Sequence, residues 1–532
     1  MSISRSTFLL LLSALMLSLG IPNEFFKLGS SIFGIFSLVP LYLAIRDTSS
    51  YRRAGVLTGA MFFLVHLMSS FWLANFKDFA LFTLGGSAMF YFFLGIPIGW
   101  ALRYSFRFPP SWRPFLFAAI WTLWEWVKSI GFLAYPWGTL VMTSRELIPL
   151  IQIADLCGNW GIGFLICLFS AVCAELLAAK NRRSVVPAAL FTLALILLST
   201  TYGLIRLANP PEMETSLDTI LVQNNADPWE NGAIRKNLLS SQKLTRKMIP
   251  KPNNPPDLVV WSESILNLPY LNNRDYYERI PREDPFVSFL GDINAPLLAG
   301  SPVIVDEYSN LYSNSVILID SDGTQLDWYG KIQLVCFAEY MPFTEYKWVR
   351  SFFDSIVGFS SSWVPGSEYK SLSLENKEGK TIRFAAPICF EDAFSSLTAR
   401  LHNTGSNLLL NLTNDSWSKT ESAEYQHFVI ASFRAIELRT TLVRSTNAGY
   451  SVVVDPFGRV LYDMPLFVAD SIRVPVPIYP HTKTVYARFG DWFPAFLAML
   501  IIGLFIVYPI AVRLRLVKNL GKYGIINNTV SR

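Results

Sequence analysis

Three side chains in the central part of the sequence have the chemistry that acyl transfer through a thiol requires. Cys389 lies in the run Ala-Pro-Ile-Cys-Phe-Glu, and Glu263 and Lys331 precede it in the same polar segment. A thiolate is the attacking species, a nearby cation favours it, and a carboxylate can accept its proton. We therefore predict Cys389 as nucleophile, Glu263 as general base and Lys331 as oxyanion stabiliser, with the backbone N–H of Phe390 as a second donor.

Taken singly, each of these residues has a commoner structural role. A lone cysteine after an apolar run is usually a small buried hydrophobe, and a lone glutamate or lysine is usually a surface charge. Cys336 is a second thiol in the segment, but its neighbours Val335 and Phe337 favour a packing role. The assignment depends on the three residues acting together.

The composition indicates a membrane protein with a soluble insert. Of the 532 residues, 52% are hydrophobic and only 16% are charged, whereas soluble domains are nearer a quarter charged. The net charge of +5 comes without a basic stripe, so no nucleic-acid partner is expected. The five cysteines and four histidines have no metal-ligand spacing, so we expect neither a metal nor another cofactor.

Apolar runs long enough for membrane-spanning helices surround the polar segment. They predict about seven spans within residues 1–214, a catalytic domain at 215–485, and one further span with a tail at 486–532. The predicted spans are 7–22, 29–45, 54–74, 80–102, 115–133, 160–179, 185–207 and 492–512.

Basic residues follow every second span, which predicts the orientation in the membrane. By the positive-inside rule that side is cytoplasmic, so the catalytic domain faces outward, into the periplasm. The clusters are Arg46, Arg52 and Arg53; Arg103, Arg107 and Arg113; Lys180, Arg182 and Arg183; and Arg513, Arg515, Lys518 and Lys522.

The insert has the pattern of an α/β domain, because short β-rich runs alternate with helical ones. Strands are predicted at 218–223, 257–261, 296–300, 314–319, 382–388, 407–412, 441–445 and 451–454, and helices at 232–248, 391–402 and 423–438.

Several runs resemble the signatures of the nitrilase superfamily, and in detail those of its apolipoprotein N-acyltransferase family. In the polar segment they are Trp-Ser-Glu-Ser at 261–264, Tyr-Gly-Lys-Ile-Gln-Leu-Val-Cys-Phe-Ala-Glu-Tyr-Met-Pro-Phe at 329–343, Ile-Cys-Phe-Glu-Asp at 388–392, Asn-Leu-Thr-Asn-Asp-Ser-Trp at 411–417 and Arg-Ser-Thr-Asn-Ala-Gly-Tyr-Ser at 444–451. Two runs in the apolar half of the chain also resemble that family: Trp-Glu-Trp-Val-Lys at 124–128 and Tyr-Pro-Trp-Gly at 135–138.

The resemblance implies a nitrilase-like αββα sandwich inserted into a bundle of about eight transmembrane helices. It also implies roles for further residues: Glu339 as a second glutamate that supports the lysine, and Gln223 as the glutamine of the first strand. Tyr340, Glu391 and Trp417 match positions near the site, and Trp229 matches a tryptophan that contacts substrate. The chain departs from the family pattern at Ser262, Cys336, Ala338, Phe390 and the run Ser-Lys-Thr at 418–420.

The function that the resemblance implies is N-acylation of the N-terminal diacylglyceryl-cysteine of apolipoproteins. The acyl group would come from a phospholipid, phosphatidylethanolamine in our expectation, through a thioacyl-enzyme on Cys389. We expect a monomer in the cytoplasmic (inner) membrane. Two alternatives remain open: a membrane-anchored carbon-nitrogen hydrolase, an amidase or nitrilase, and a non-catalytic or specialised paralogue.

Residues 343–365 are rich in aromatic side chains and poor in charge. Exposed aromatics suit a membrane interface, so this segment is either a lid that dips into the membrane or an ordinary packed helix and loop.

Overall fold

The N-terminal part of the chain is helical in the computed structural model, which describes residues 3–76, 81–226, 233–250, 254–344, 346–356 and 363–507. Its α-helices are α1 Ile3–Gly20, α2 Ser31–Phe36, α3 Leu38–Arg46, α4 Tyr51–Ser69, α5 Ser87–Ser105, α6 Arg113–Val127, α7 Ile148–Ile151, α8 Ala154–Ala178 and α9 Val186–Ala208.

Within the described residues, each predicted span contains helical structure; residues 80 and 508–512 of the predicted spans, and the basic residues Arg513, Arg515, Lys518 and Lys522, lie outside them. Among the described residues, three helices are long and apolar enough to cross a membrane: Leu81–Ser105, Ala154–Ala178 and Val186–Ala208. Arg5–Gly20, Ser31–Arg46 and Trp492–Phe505 are apolar but shorter. The bundle of eight spans therefore stays a prediction.

In the described residues of the polar segment, twelve strands form two sheets. The strands are β1 Thr215–Gln223, β2 Leu258–Val260, β3 Leu297–Asp306, β4 Leu311–Ile319, β5 Gln325–Gly330, β6 Leu372–Glu375, β7 Thr381–Ala385, β8 Leu408–Thr413, β9 Thr441–Thr446, β10 Val452–Val454, β11 Val460–Asp463 and β12 Asp470–Ile478. One six-stranded sheet has the order β12-β1-β2-β3-β4-β5, and the other has the order β11-β10-β9-β8-β7-β6.

Helices cover the outer face of each sheet. On one sheet, α10 Ala233–Lys247 packs on β1 and β12 with α12 Phe286–Ile293 beside it; on the other, α14 Ser395–His402 packs on β7 and α15 Glu421–Leu438 on β9. The remaining helices are α11 Arg274–Tyr277, α13 Lys347–Ile356, α16 Val485–Phe489 and α17 Trp492–Ile502. In β1, Leu217 and Leu221 belong to the core between the sheets, whereas Ile220 and Val222 belong to a second core with Phe286 of α12. This alternation places one sheet against the other and helices outside, which confirms the predicted nitrilase-like architecture.

The structure differs from the predicted elements near Cys389. Strand β7 ends at Ala385 instead of 388, and the predicted helix 391–402 is divided into a 3₁₀ turn, Cys389–Ala393, and α14. Phe394 separates them because its backbone is extended, with φ −94° and ψ 104°. Strands β5, β6, β11 and β12 had no counterpart among the predicted strands.

The helical part and the sandwich are joined by buried polar contacts. The Gln426 side chain of α15 donates to the carbonyl oxygens of Pro22 (2.9 Å) and Ser69 (2.8 Å). At the other end of α15, Arg439 donates to the carboxylate of Asp155 at 3.0 Å and to the Gln152 side chain at 2.6 Å. Buried polar groups depend on their partners, so these contacts fix the sandwich on the helices.

Candidate active site

Three strand ends bring the predicted residues together at one end of the sandwich. Glu263 follows β2, Lys331 directly follows β5, and Cys389 begins the turn after β7. The Nζ atom of Lys331 lies 3.5 Å from Oε1 of Glu263 and 2.9 Å from the Glu339 carboxylate. The Lys331 ammonium also lies 5.5 Å from the ring of Phe390, the residue after Cys389. The charges of Glu263 and Lys331 both shift the pKa of the Cys389 thiol, Glu263 upward and Lys331 downward.

Lys331 is a buried cation between two carboxylates. Only 1% of its side chain is exposed. Burial alone lowers its pKa, but Glu339, Glu263 and Cys389 together raise the pKa above its usual value. The lysine therefore stays charged at every physiological pH, which an oxyanion stabiliser requires.

Glu263 is held on both of its oxygens. Oε1 accepts a hydrogen bond from the side chain of Asn314 at 2.8 Å, and Oε2 accepts the backbone N–H of Asn414 at 3.0 Å. Burial raises the pKa of Glu263; Lys331 opposes that rise and Glu339 adds to it. A carboxylate with a raised pKa is better matched to accepting a proton near neutral pH.

The backbone around Cys389 has an uncommon conformation. Its φ is 52°, a left-handed value that costs energy in a residue with a side chain and is often found at functional sites. Asn411 stabilises this turn, because its side-chain amide donates to the carbonyl oxygens of Cys389 at 2.8 Å and Pro387 at 3.0 Å. Burial, with Glu263, raises the pKa of the thiol, while Lys331 and the Thr413 hydroxyl lower it. The raised pKa favours the protonated thiol, and a thiol attacks only after a base has removed its proton.

The aromatic surroundings of the site come from both parts of the chain. The Phe390 ring lies 5.5 Å from the Lys331 ammonium and 6.4 Å, nearly parallel, from Trp137 of the helical part. Trp417 packs against Trp72 with their ring centroids 5.6 Å apart. Tyr340 has 39% of its surface exposed, at the edge of the site.

The other predicted supporting residues have mainly structural contacts. The Glu339 carboxylate accepts hydrogen bonds from the Lys331 ammonium, the Asn314 side-chain amide and the backbone N–H of Val335. Gln223 donates to the carbonyl oxygens of Pro465 and Val468 and accepts from the hydroxyls of Ser451 and Thr446, which occupies its whole amide. Glu391 is fully buried and accepts backbone N–H groups on both sides of the site. Trp229 lies outside the described residues.

Several residues of the site were not predicted as such. Asn314 bridges Glu263 and Glu339 from strand β4, and its run carried no motif. Asn411, Thr413 and Asn414 lie in the quoted run 411–417, but only its tryptophan was assigned a role. Which of their groups reach Cys389 and Glu263 depends on the register of β8 beside β7, which a motif does not contain.

Comparison with known proteins supports one family over nearly the whole chain. The model for the apolipoprotein N-acyltransferase N-terminal domain matches residues 13–172, and the carbon-nitrogen hydrolase model matches residues 221–476. Apolipoprotein N-acyltransferase 2 of Treponema denticola is 49% identical, with 93% of this chain and 96% of the relative covered. Apolipoprotein N-acyltransferase 2 of Treponema pallidum is 45% identical, with 90% and 91% covered.

A relative from another genus and a solved structure complete the comparison. The apolipoprotein N-acyltransferase of Borreliella burgdorferi is 32% identical, with 92% of this chain and 93% of the relative covered. The crystal structure of an amidase from Nesterenkonia sp. aligns with 53% of this chain and 96% of its own, at 17% identity and a TM-score of 0.36.

Proposed function

The chain belongs to the apolipoprotein N-acyltransferase family, and on that premise we propose how its own residues acylate a lipoprotein. It is a membrane-bound acyltransferase of lipoprotein biosynthesis. The observation that supports the proposed path is the buried Lys331 ammonium, which lies 3.5 Å from Oε1 of Glu263 and 5.5 Å from the ring of Phe390, the residue after Cys389.

The first half-reaction moves an acyl group from a phospholipid to the enzyme. Glu263 accepts the thiol proton, and the Cys389 thiolate attacks the carbonyl carbon of the ester. The oxyanion that forms lies against Lys331 and the backbone N–H of Phe390. When the intermediate collapses, the ester C–O bond breaks, the lysophospholipid oxygen takes the proton from Glu263, and a thioester remains on Cys389.

The second half-reaction gives the acyl group to the acceptor. The α-amino group of a diacylglyceryl-modified cysteine attacks the thioester, and Glu263 accepts the proton that the nitrogen loses. The C–S bond then breaks, an amide forms, and Cys389 regains a proton. A free α-amino group has a pKa of about 8, so a buried carboxylate that can accept its proton helps at neutral pH.

The surroundings of the site favour lipid substrates. Phe390 stacks on Trp137 and Trp417 packs on Trp72, so aromatic groups of the helical part border the site directly. A donor and an acceptor that both carry acyl chains can reach such a site from the membrane. We propose phosphatidylethanolamine as the donor and a monomer as the working unit.

The charge distribution supports a catalytic domain on the outer side of the cytoplasmic membrane. At the start of α4, Arg53 bonds the Ser6 hydroxyl, and near its end the carbonyl oxygen of Ser69 accepts from Gln426 of the sandwich. At about 1.5 Å of rise per residue, roughly 24 Å of helix separates them. The Arg46 and Arg113 side chains, at the same end of the bundle as Arg53, both form ion pairs with the buried Glu175 carboxylate. The basic end of the bundle is thus far from the catalytic domain, as the positive-inside rule requires for a periplasmic site.

Mass spectrometry of the purified protein after mixing with phosphatidylethanolamine tests this proposal. We expect a mass gain of one acyl chain that maps to Cys389 and that disappears in Cys389→Ala. Cys336→Ala is the matched control, because it removes the other thiol of the domain and should keep the label. Release of free fatty acid without an acyl-enzyme, or ammonia from simple amides, would favour a hydrolase and overturn the proposal.

A further inference from the structure

A buried group of charged side chains lies beneath the Cys389 turn and has no part in the reaction path above. His427 of α15 is 3% exposed. Its Nε2 lies 2.9 Å from Oδ1 of Asp392, and its Nδ1 lies 2.7 Å from Oδ2 of Asp415. Arg444 of β9 pairs with Asp392 and lies 3.7 Å from the Asp415 carboxylate. We call these four residues the His427 network.

The two aspartates of this network belong to the two loops that form the catalytic site. Asp392 lies in the 3₁₀ turn Cys389–Ala393, so it moves with the sulfur. Asp415 follows Asn414, whose backbone N–H binds Glu263 at 3.0 Å. The imidazole ring therefore joins the loop of the proposed nucleophile to the loop that holds the proposed base.

We propose that His427, as an imidazolium, is a positioning residue that fixes the Cys389 turn against the Glu263-binding loop and offsets the charge of both aspartates. Each ring nitrogen faces a carboxylate oxygen. A neutral imidazole has one N–H, so one of the two contacts would then lack a proton, whereas the cation donates to both. The contacts thus require the charged ring.

The surrounding charges agree with that state. Burial and Arg444 lower the pKa of His427, but Asp415 and Asp392 raise it to about 9. Glu424, one turn earlier on α15, is buried, and burial with Asp415 raises its pKa to about 8, which keeps it mostly uncharged at neutral pH. The Trp137 ring of the helical part packs against the imidazole at a centroid distance of 5.5 Å.

The network also sets how easily the thiol loses its proton. The charge of Asp415 raises the pKa of both Cys389 and Glu263. Without the imidazolium, Arg444 would be the one cation of the network left to offset two carboxylates. The surroundings of the sulfur would then be more negative by one charge, and the thiolate would form only at higher pH. This inference rests on the proposed role of Cys389, but thiolate formation can be measured without any acyl donor.

The test is the pH dependence of alkylation of Cys389 by iodoacetamide, followed on its own peptide by mass spectrometry. His427→Gln should move the profile to higher pH and make alkylation about tenfold slower at pH 8, since one pKa unit is a factor of ten. Acyl-enzyme formation should slow in parallel. His402→Gln is the matched control: His402 is equally buried in the same domain, where it binds the carbonyl oxygen of Thr482.

A second variant tests the sign of the effect. Asp415→Asn keeps the shape of the side chain and removes one negative charge, so it should move the alkylation profile to lower pH. This variant also tests the inference if His427→Gln does not fold. Equal profiles for His427→Gln and His402→Gln, or a shift of Asp415→Asn to higher pH, overturn the inference. A wild-type enzyme that is alkylated normally but never acylated would instead refute the proposed function alone.

Discussion

The carboxylate of Glu391 accepts the backbone N–H of Ile332 at 2.7 Å, across 59 residues of sequence. The same carboxylate accepts the N–H of Gln333 at 3.0 Å and that of Ile388 at 2.8 Å. Ile332 follows Lys331, and Ile388 precedes Cys389. One buried side chain thus holds the lysine segment and the cysteine turn at a fixed separation, although burial raises its pKa to about 7.

Glu391→Gln should separate the two segments. The glutamine amide has the shape of the carboxylate, but both Glu391 oxygens now accept backbone N–H groups. In the variant, an NH₂ group replaces one of these oxygens and faces an N–H that then has no acceptor. A buried donor without a partner costs about 1–3 kcal/mol, so we expect a lower Tm and acyl-enzyme formation that is at least about tenfold slower. Glu307→Gln, at an exposed position of the β3–β4 hairpin, is the control. Equal acylation rates in the two variants would contradict the positioning role.

Asn314→Asp tests the electrostatics of the base. The Asn314 amide donates to Glu263 at 2.8 Å and to Glu339 at 2.7 Å, and an aspartate would put a third carboxylate between them. We expect the pKa of Glu263 to rise further, because a neighbouring negative charge favours the protonated form. The pH profile of acylation should then move to higher pH, and acylation at pH 7 should become about tenfold slower for each unit by which the pKa of Glu263 rises. Asn310→Asp adds the same charge at an exposed turn and should leave the profile unchanged.

Gly300→Ala tests the backbone contact behind Glu263. A Cβ at Gly300 would lie 2.3 Å from the backbone nitrogen of Ser264 and 2.7 Å from Cα of Glu263, so the segment that carries the base must shift. A displacement of about 1 Å at a catalytic group can cost roughly a hundredfold in rate, and we expect a loss of that order in acylation. Gly291→Ala, where the added Cβ meets nothing within 4 Å, is the control. Full activity of Gly300→Ala would show that the base does not need this position.

The charged state of His427 predicts a pH dependence of stability. Its pKa is about 9 in the folded protein and about 6.5 when unfolded. The contribution of the raised pKa is therefore complete below pH 6.5 and is lost as the pH rises through 9; it amounts to about 3 kcal/mol. Thermal unfolding at pH 6 and pH 10 should show a larger decrease of Tm for the wild type than for His427→Gln. Equal decreases would contradict this prediction.

The sequence predicts Glu263, Lys331 and Cys389 because a carboxylate, a cation and a thiol are the groups that thiol acyl transfer needs, and because the three lie in runs that resemble family signatures. It could not predict the contacts between them. Asn314 reaches Glu263 through the pairing of β3 with β4, in which Pro302 lies opposite it, and His427 reaches two loops from a helix whose residues are buried on nearly every side. Long-range pairing and full burial leave little local signal, so Asn314 and His427 were found from the structure, whereas Glu339 and Glu391 lie in runs that resemble family signatures.

Trp348→Ser tests the lid hypothesis. Trp348 lies on α13 with 75% of its surface exposed, and a large exposed aromatic is suited to a membrane interface; Phe359, a further aromatic of the segment, lies outside the described residues. We expect slower turnover of phospholipid in vesicles with an unchanged Tm, because an exposed side chain contributes little to folding. Tyr308→Ser, which removes a fully exposed aromatic from the β3–β4 hairpin, is the control. Turnover at the wild-type rate in Trp348→Ser would show that α13 is an ordinary surface helix.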